Sequence, residues 1–109
     1  MEELVLKLIS ECRVQQAVAM TTLDNGMQLF AYRLEDDGML LALGVGPDAA
    51  LTAGELLARR NAQLRQAGGW LPAMFNDGSL YLLRRLSSQE EEGGEVLEGQ
   101  LDLALEMLN

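Results

Sequence analysis

The sequence predicts an α+β fold in the order α-β-β-β-α-β-β-α, a twisted antiparallel sheet flanked by helices in a single domain, residues 1–109. Three observations predict it. Apolar residues recur at helical spacing near both ends of the chain and once in its middle. The segments between them have the composition of strands. Three Asx-Gly pairs, Asn25-Gly26, Asp37-Gly38 and Asp77-Gly78, punctuate those segments as tight turns.

The first dozen or so residues place Leu4, Val5, Leu8, Ile9 and Cys12 on one helical face, and Glu2 and Glu3 at the start complement the helix dipole. Val18 to Leu23, with its valine and threonines, favours a strand. Asp24-Asn25-Gly26 then turns the chain into Met27–Leu34. There Phe30, Tyr32 and Leu34 alternate with Leu29, Ala31 and Arg33, a large-residue face against a smaller, mixed one. Glu35-Asp36-Asp37-Gly38 turns into Met39–Val45, apolar at nearly every position. Such a run is a central strand covered on both sides, or one whose second face awaits a partner.

Gly46-Pro47 ends the meander. Thr52 and Glu55 have capping-box spacing, with Leu51 and Leu56 placed as a hydrophobic staple. The helix they open should reach about Ala67 with Leu56, Leu57 and Leu64 as its apolar stripe, and Gly68-Gly69 should stop it in a left-handed cap. Trp70–Phe75 and Leu80–Leu86 flank Asn76-Asp77-Gly78-Ser79 as a hairpin, and Pro72, lacking a donor, points to an edge strand. Ser87 to Gly94 reads as a solvated acidic loop. The last helix aligns Leu97, Leu101, Ala104, Leu105 and Leu108, with Gly99 weakening it by ~1 kcal/mol relative to alanine.

Composition narrows the function. The chain has no histidine, one cysteine and one lysine, which removes Ser/His/Asp and Cys/His catalytic arrangements and histidine–cysteine metal clusters. Asp36-Asp37-Gly38 and Asn76-Asp77-Gly78 are too short for calcium loops and are explained by turn chemistry. Gly44-Val45-Gly46 lacks the third glycine of a dinucleotide loop, since Ala49 stands there. Glu90, Glu91 and Glu92 lie in the expected loop, where solvent keeps them ionised rather than tuned as acids. The expectation is a protein that is not an enzyme, with no cofactor and no metal.

A formal charge of −9 disfavours nucleic acid and favours a basic or weakly structured polypeptide partner. The single Cys12 suits a reducing compartment and a core position. No apolar stretch approaches the ~20 residues of a membrane span, and Met-Glu-Glu is not the basic start of a secretory signal. A soluble, cytoplasmic protein without membrane insertion is expected. Met20, Met27, Met39 and Met74 fall in or beside strands, where they either fill the core or furnish a surface for varied apolar sequences.

Taken together, several stretches resemble the class I type III secretion chaperones of Gram-negative bacteria. They are Thr22-Leu23-Asp24-Asn25-Gly26, Leu34-Glu35-Asp36-Asp37-Gly38-Met39-Leu40-Leu41, Glu55-Leu56-Leu57-Ala58-Arg59-Arg60-Asn61 leading to Gly68-Gly69-Trp70, Asn76-Asp77-Gly78-Ser79-Leu80-Tyr81-Leu82, and the leucine-rich tail Leu97–Leu108. The resemblance covers nearly the whole chain. It implies a bacterial cytoplasmic dimer that holds the N-terminal segment of a secreted effector or gatekeeper protein extended and export-competent without ATP. It implies a homodimer, or a heterodimer with a related chaperone, joined through the second helix and the strand after it, which carries Leu56, Leu57, Leu64 and Trp70 into the interface. The first helix and an exposed sheet face would receive the cargo through Leu4, Leu8, Leu29 and Phe30, with Ala31 or Leu41 beside them. The alternatives are a small-molecule-binding or enzymatic α+β domain, and a permanent structural subunit of a larger assembly.

Overall fold

The computed structural model describes all 109 residues and has the predicted α+β architecture. Helix α1 (Glu2–Gln15) leads into strands β1 (Ala19–Thr22), β2 (Gln28–Arg33) and β3 (Met39–Val45). Helix α2 (Ala53–Ala62) and a short helix α3 (Leu64–Ala67) follow, then strands β4 (Leu71–Met74) and β5 (Leu80–Leu86). A single turn α4 (Ser88–Glu91) precedes the final helix α5 (Glu95–Leu108). The five strands form one antiparallel sheet in the order β1-β2-β3-β5-β4.

All the helices that bury apolar surface do so on one side of this sheet. Helix α1 lies over β1 and β2, α5 over β3, and α2 runs between α5 and β4. Their buried residues join the inward residues of the strands in one core of 23 side chains. From α1 come Val5, Leu8, Ile9 and Cys12; from α5, Leu97, Leu101, Ala104, Met107 and Leu108. Complete burial of a leucine or isoleucine stabilises by ~1.5–3 kcal/mol, so each amphipathic helix owes its position chiefly to this stripe. Trp70 is fully buried beneath them, its indole N–H donating to Gln100 Oε1 at 3.0 Å.

Two of the turns form as the Asx-Gly pairs require: Asn25 Oδ1 accepts from Met27 N and Asp77 Oδ1 from Ser79 N, each two residues on, while Gly26 and Gly78 take positive φ. In the third, Asp36 Oδ1 accepts from Gly38 N and Asp37 itself, not the glycine, takes positive φ, at 70°. Thr52 and Glu55 form the expected capping box at the start of α2.

Three details differ from the sequence expectation. The middle helix breaks at Gln63, whose φ of −127° leaves α3 as a separate turn. Gly68 is right-handed at φ −61°, so the glycine pair does not form a left-handed cap. Close approach explains the pair instead. A Cβ at Gly68 would lie 2.8 Å from the Leu64 carbonyl oxygen, and one at Gly69 would lie 2.0 Å from Arg84 Nη1. The acidic stretch after β5 is not a free loop either. Ser87 and Glu90 build a second capping box around α4, and this draws Glu90 under the sheet.

Glu90 is therefore 4 % exposed and pairs with Arg84 at 2.9 Å, while the Arg84 guanidinium lies 5.9 Å from the Trp70 ring centre. Arg84 is the one cation on the helix-covered face of β5. It is tolerated there because a carboxylate and an indole surround it. Glu91 pairs with Arg13 at the end of α1, which in turn bonds Asp37 in the β2–β3 turn. Of the three clustered glutamates, two are thus structural ties.

Candidate protein-interaction surfaces

A five-stranded sheet with helices on one side leaves its other side bare, and strand register determines what stands there. Phe30 pairs with Met20 on one side and Ala42 on the other; Ala42 pairs with Leu83, and Leu83 with Leu71. These five residues share a face, and they form an apolar line across every strand from edge to edge. Four strand spacings of ~4.8 Å make the line about 19 Å long, the reach of roughly six extended residues. Met20 is 61 % exposed and Leu71 59 %, Phe30 and Leu83 are partly covered by neighbours, and Ala42 at the centre is enclosed between them at 0 %.

The adjacent rows extend the patch. On one side Tyr32 stands opposite Leu40, next to Arg85. On the other, Gln28, Gly44, Tyr81 and Ala73 follow in register. Gly44 is required here because the Tyr81 ring lies across it; a Cβ would fall 2.3 Å from that ring. Tyr81 stacks on Phe75 at 4.4 Å between centroids and meets Phe30 at 5.6 Å in a tilted pair.

Charges divide unequally between the two ends of this face. At the end carrying the β2–β3 turn, Arg85 bonds Asp36, and Arg33 and Arg13 bond Asp37. The Arg85 hydrogen bond holds Asp36 below the usual carboxylate range, helped by the Gly38 N–H. Asp37 is lowered by Arg33 first and Arg13 next. The opposite end carries Asp24, Asp48 and Asp77, and none of the ion pairs of the molecule reaches them.

A second apolar surface lies along α2 and β4. Leu57 is 45 % exposed and Leu64 53 %, on the side of the middle helices away from the core. Met74 and Pro72 approach Leu57 from the edge strand, enclosing a mostly apolar cleft of about 140 Å³ with Ala53 and Ala73. The edge itself is short and bears Pro72, which has no N–H to offer a neighbouring strand.

The residues singled out from sequence divide between these surfaces and the core. Leu57 and Leu64 are exposed together, but Leu56 and Trp70 are fully enclosed within the subunit and do not form part of an interface surface. The predicted stripe of the middle helix fails because Leu57 is the neighbour of Leu56 and so turns away from the side that packs on α5 and the sheet. Phe30 is on the open face. Leu29, Ala31 and Leu41 are on the covered one, at 0 % exposure, since their strand positions have the opposite parity. Leu8 is buried on the core-facing side of α1, and Leu4 packs partly buried against the core. Leu71, Phe75, Tyr81 and Leu83 complete the two surfaces and were not among the sequence candidates; of the four methionines read as core or surface, Met20 and Met74 are exposed and Met27 and Met39 are buried. The hairpin turns could have identified the open-face members, because fixing one residue's parity fixes that of its cross-strand partners.

No three histidine, cysteine, aspartate or glutamate side chains converge as a metal site, and Cys12 is a buried free thiol. No helix is long and apolar enough to cross a membrane. Comparison with protein-family models, with curated proteins and with solved structures finds no match to this chain.

Proposed function

We propose that this chain is a secretion chaperone of the class I type III kind, a cytoplasmic bacterial dimer that holds an unfolded segment of an effector or gatekeeper protein without ATP. The observation that carries the reading is the bare sheet face, crossed edge to edge by Met20, Phe30, Ala42, Leu83 and Leu71. An isolated subunit gains nothing by leaving such a line in water. A disordered polypeptide gains from it, provided the contact is wide enough to offset the several kcal/mol spent in ordering the segment. The order of elements is the one the resemblance implies, and the surface formed by Leu57, Leu64, Pro72 and Met74 supplies a place for subunits to join. The acidic surface keeps the assembly dispersed while the apolar line waits for cargo.

Co-expression with the N-terminal segment of a secreted effector encoded nearby tests this reading. A complex that survives size-exclusion chromatography without nucleotide, at the mass of two chains and one cargo, is the expected result. Leu83→Lys or Met20→Glu should abolish the complex while far-UV circular dichroism stays unchanged. A monomer at high micromolar concentration that captures no cargo overturns it.

A further inference from the structure

The aromatic corner of the open face has features that an apolar track does not need. Tyr81 is only 7 % exposed, yet its hydroxyl forms no hydrogen bond within the chain. No enclosed side-chain oxygen of the molecule lacks a partner, so this hydroxyl stands at the surface. Phe75, stacked on Tyr81, remains 42 % exposed, and Phe30 is partly exposed beside them. Burial raises the Tyr81 phenol above its usual range, with the charge of Asp77 as the second cause, which puts that carboxylate within electrostatic reach of the ring.

The chain's cations avoid this end of the sheet. No lysine or arginine occurs in residues 14–32, 34–58 or 66–83, which supply β1, β2 up to its last residue, β3, β4 and the first part of β5. The turns bearing Asp24, Asp48 and Asp77 all lie at this same end of the sheet, and the last two come together, a Cβ at Gly78 standing 3.6 Å from the Cβ of Pro47. The face therefore presents aromatic rings and an unpartnered hydroxyl beside carboxylates that no cation of the chain neutralises.

We propose that the Phe30–Tyr81–Phe75 corner seats an arginine or lysine of an extended partner segment whose apolar residues lie along the line from Met20 to Leu71. The inference rests on the reading of the open face as the cargo surface and adds the charge of the cargo to it. A cation is attracted to an aromatic ring face and, as a donor, to the Tyr81 hydroxyl. A second copy of this chain is a poor occupant, because it would bring the same aspartates and the same net charge of −9 against them.

Short synthetic peptides of alternating isoleucine and serine, capped at both ends, test this with the intact chain. Their central residue is arginine, citrulline, norleucine or glutamate, and binding is read by fluorescence anisotropy. The arginine peptide should bind about twofold to fivefold more tightly than the citrulline peptide, the range expected for one exposed cation over an aromatic ring. That advantage should shrink in raised salt, in Asp77→Asn, which keeps the oxygen that caps the turn, and in Phe75→Leu. Asp102→Asn, the same charge change on the exposed side of α5, should leave it intact.

Equal binding of the arginine, citrulline and norleucine peptides overturns the inference while leaving the open face as an apolar docking surface. An advantage reduced as much by Asp102→Asn as by Asp77→Asn also overturns it, since net charge alone would then be responsible. Failure of every peptide to bind removes the docking surface itself and the inference with it. Dissociation of a dimer by Phe75→Leu would show that a second copy occupies the corner, and would overturn it as well.

Discussion

Two adjacent leucines on helix α2 should respond in opposite ways to the same substitution. Leu57→Glu places a carboxylate on a residue that is 45 % exposed in the subunit, so the subunit itself loses ~1 kcal/mol or less. In a two-fold dimer the change occurs twice. Each copy loses the remaining apolar burial, ~1 kcal/mol, and each new carboxylate costs several kcal/mol if it is enclosed without a partner. Even with much relaxation the total exceeds ~4 kcal/mol, about a thousandfold in the dissociation constant. Sedimentation velocity at micromolar protein should show the mass halved, with far-UV circular dichroism unchanged. Leu56→Glu buries a charge at a residue 1 % exposed and should unfold the chain outright. An unaltered dimer mass in both Leu57→Glu and Leu64→Glu refutes the assignment of this surface as the subunit contact.

Three further outcomes are expected. Arg84→Ala leaves Glu90 buried without its partner and should destabilise by ~3–5 kcal/mol in urea unfolding, whereas the double change Arg84→Met with Glu90→Leu should recover most of that. Gly44→Val drives a side chain into the Tyr81 ring, so near-UV circular dichroism should lose its tyrosine signal and cargo binding should fall, with far-UV signal retained. Asp36 and Asp37 have lowered pKa values in the folded chain, so the unfolded state takes up protons first as pH falls. Their contribution is complete above the ordinary carboxylate pKa of ~3.9 and is lost as pH drops through their lower folded values. The melting temperature should therefore fall over that acid range, and less steeply in Asp37→Asn.

The elements were legible in the sequence because each depends on local chemistry. Asn25-Gly26 and Asp77-Gly78 encode turns through their own backbone preferences, and Thr52 with Glu55 encodes a cap through two reciprocal hydrogen bonds. Pro72 marked the edge strand for a similarly local reason. The sidedness of the sheet was less accessible. Leu29 and Phe30 are adjacent and both apolar, and only the packing of α1 over Ala31 and Leu29 decides which of them faces water. The same holds for Leu56 and Leu57. Glu90 was misjudged because its partner Arg84 and the indole behind it belong to other elements, and the acidic stretch carries no local sign of them. The glycines at 68 and 69 gave a local signal, but close approach to Leu64 and Arg84 accounts for them rather than a helix cap.

The brevity of the outer strands has a consequence for a molecule that leaves so much hydrocarbon unclothed. Strand borders ordinarily invite copies of a protein to stack edge on edge into insoluble ribbons, above all beside a bare greasy plane. Here β1 and β4 are only four residues each, and a ring-locked residue interrupts the second. Sideways growth is thus blunted while the flat of the sheet stays open, so an uncovered greasy plane is compatible with restraint toward stacking of the protein's own kind.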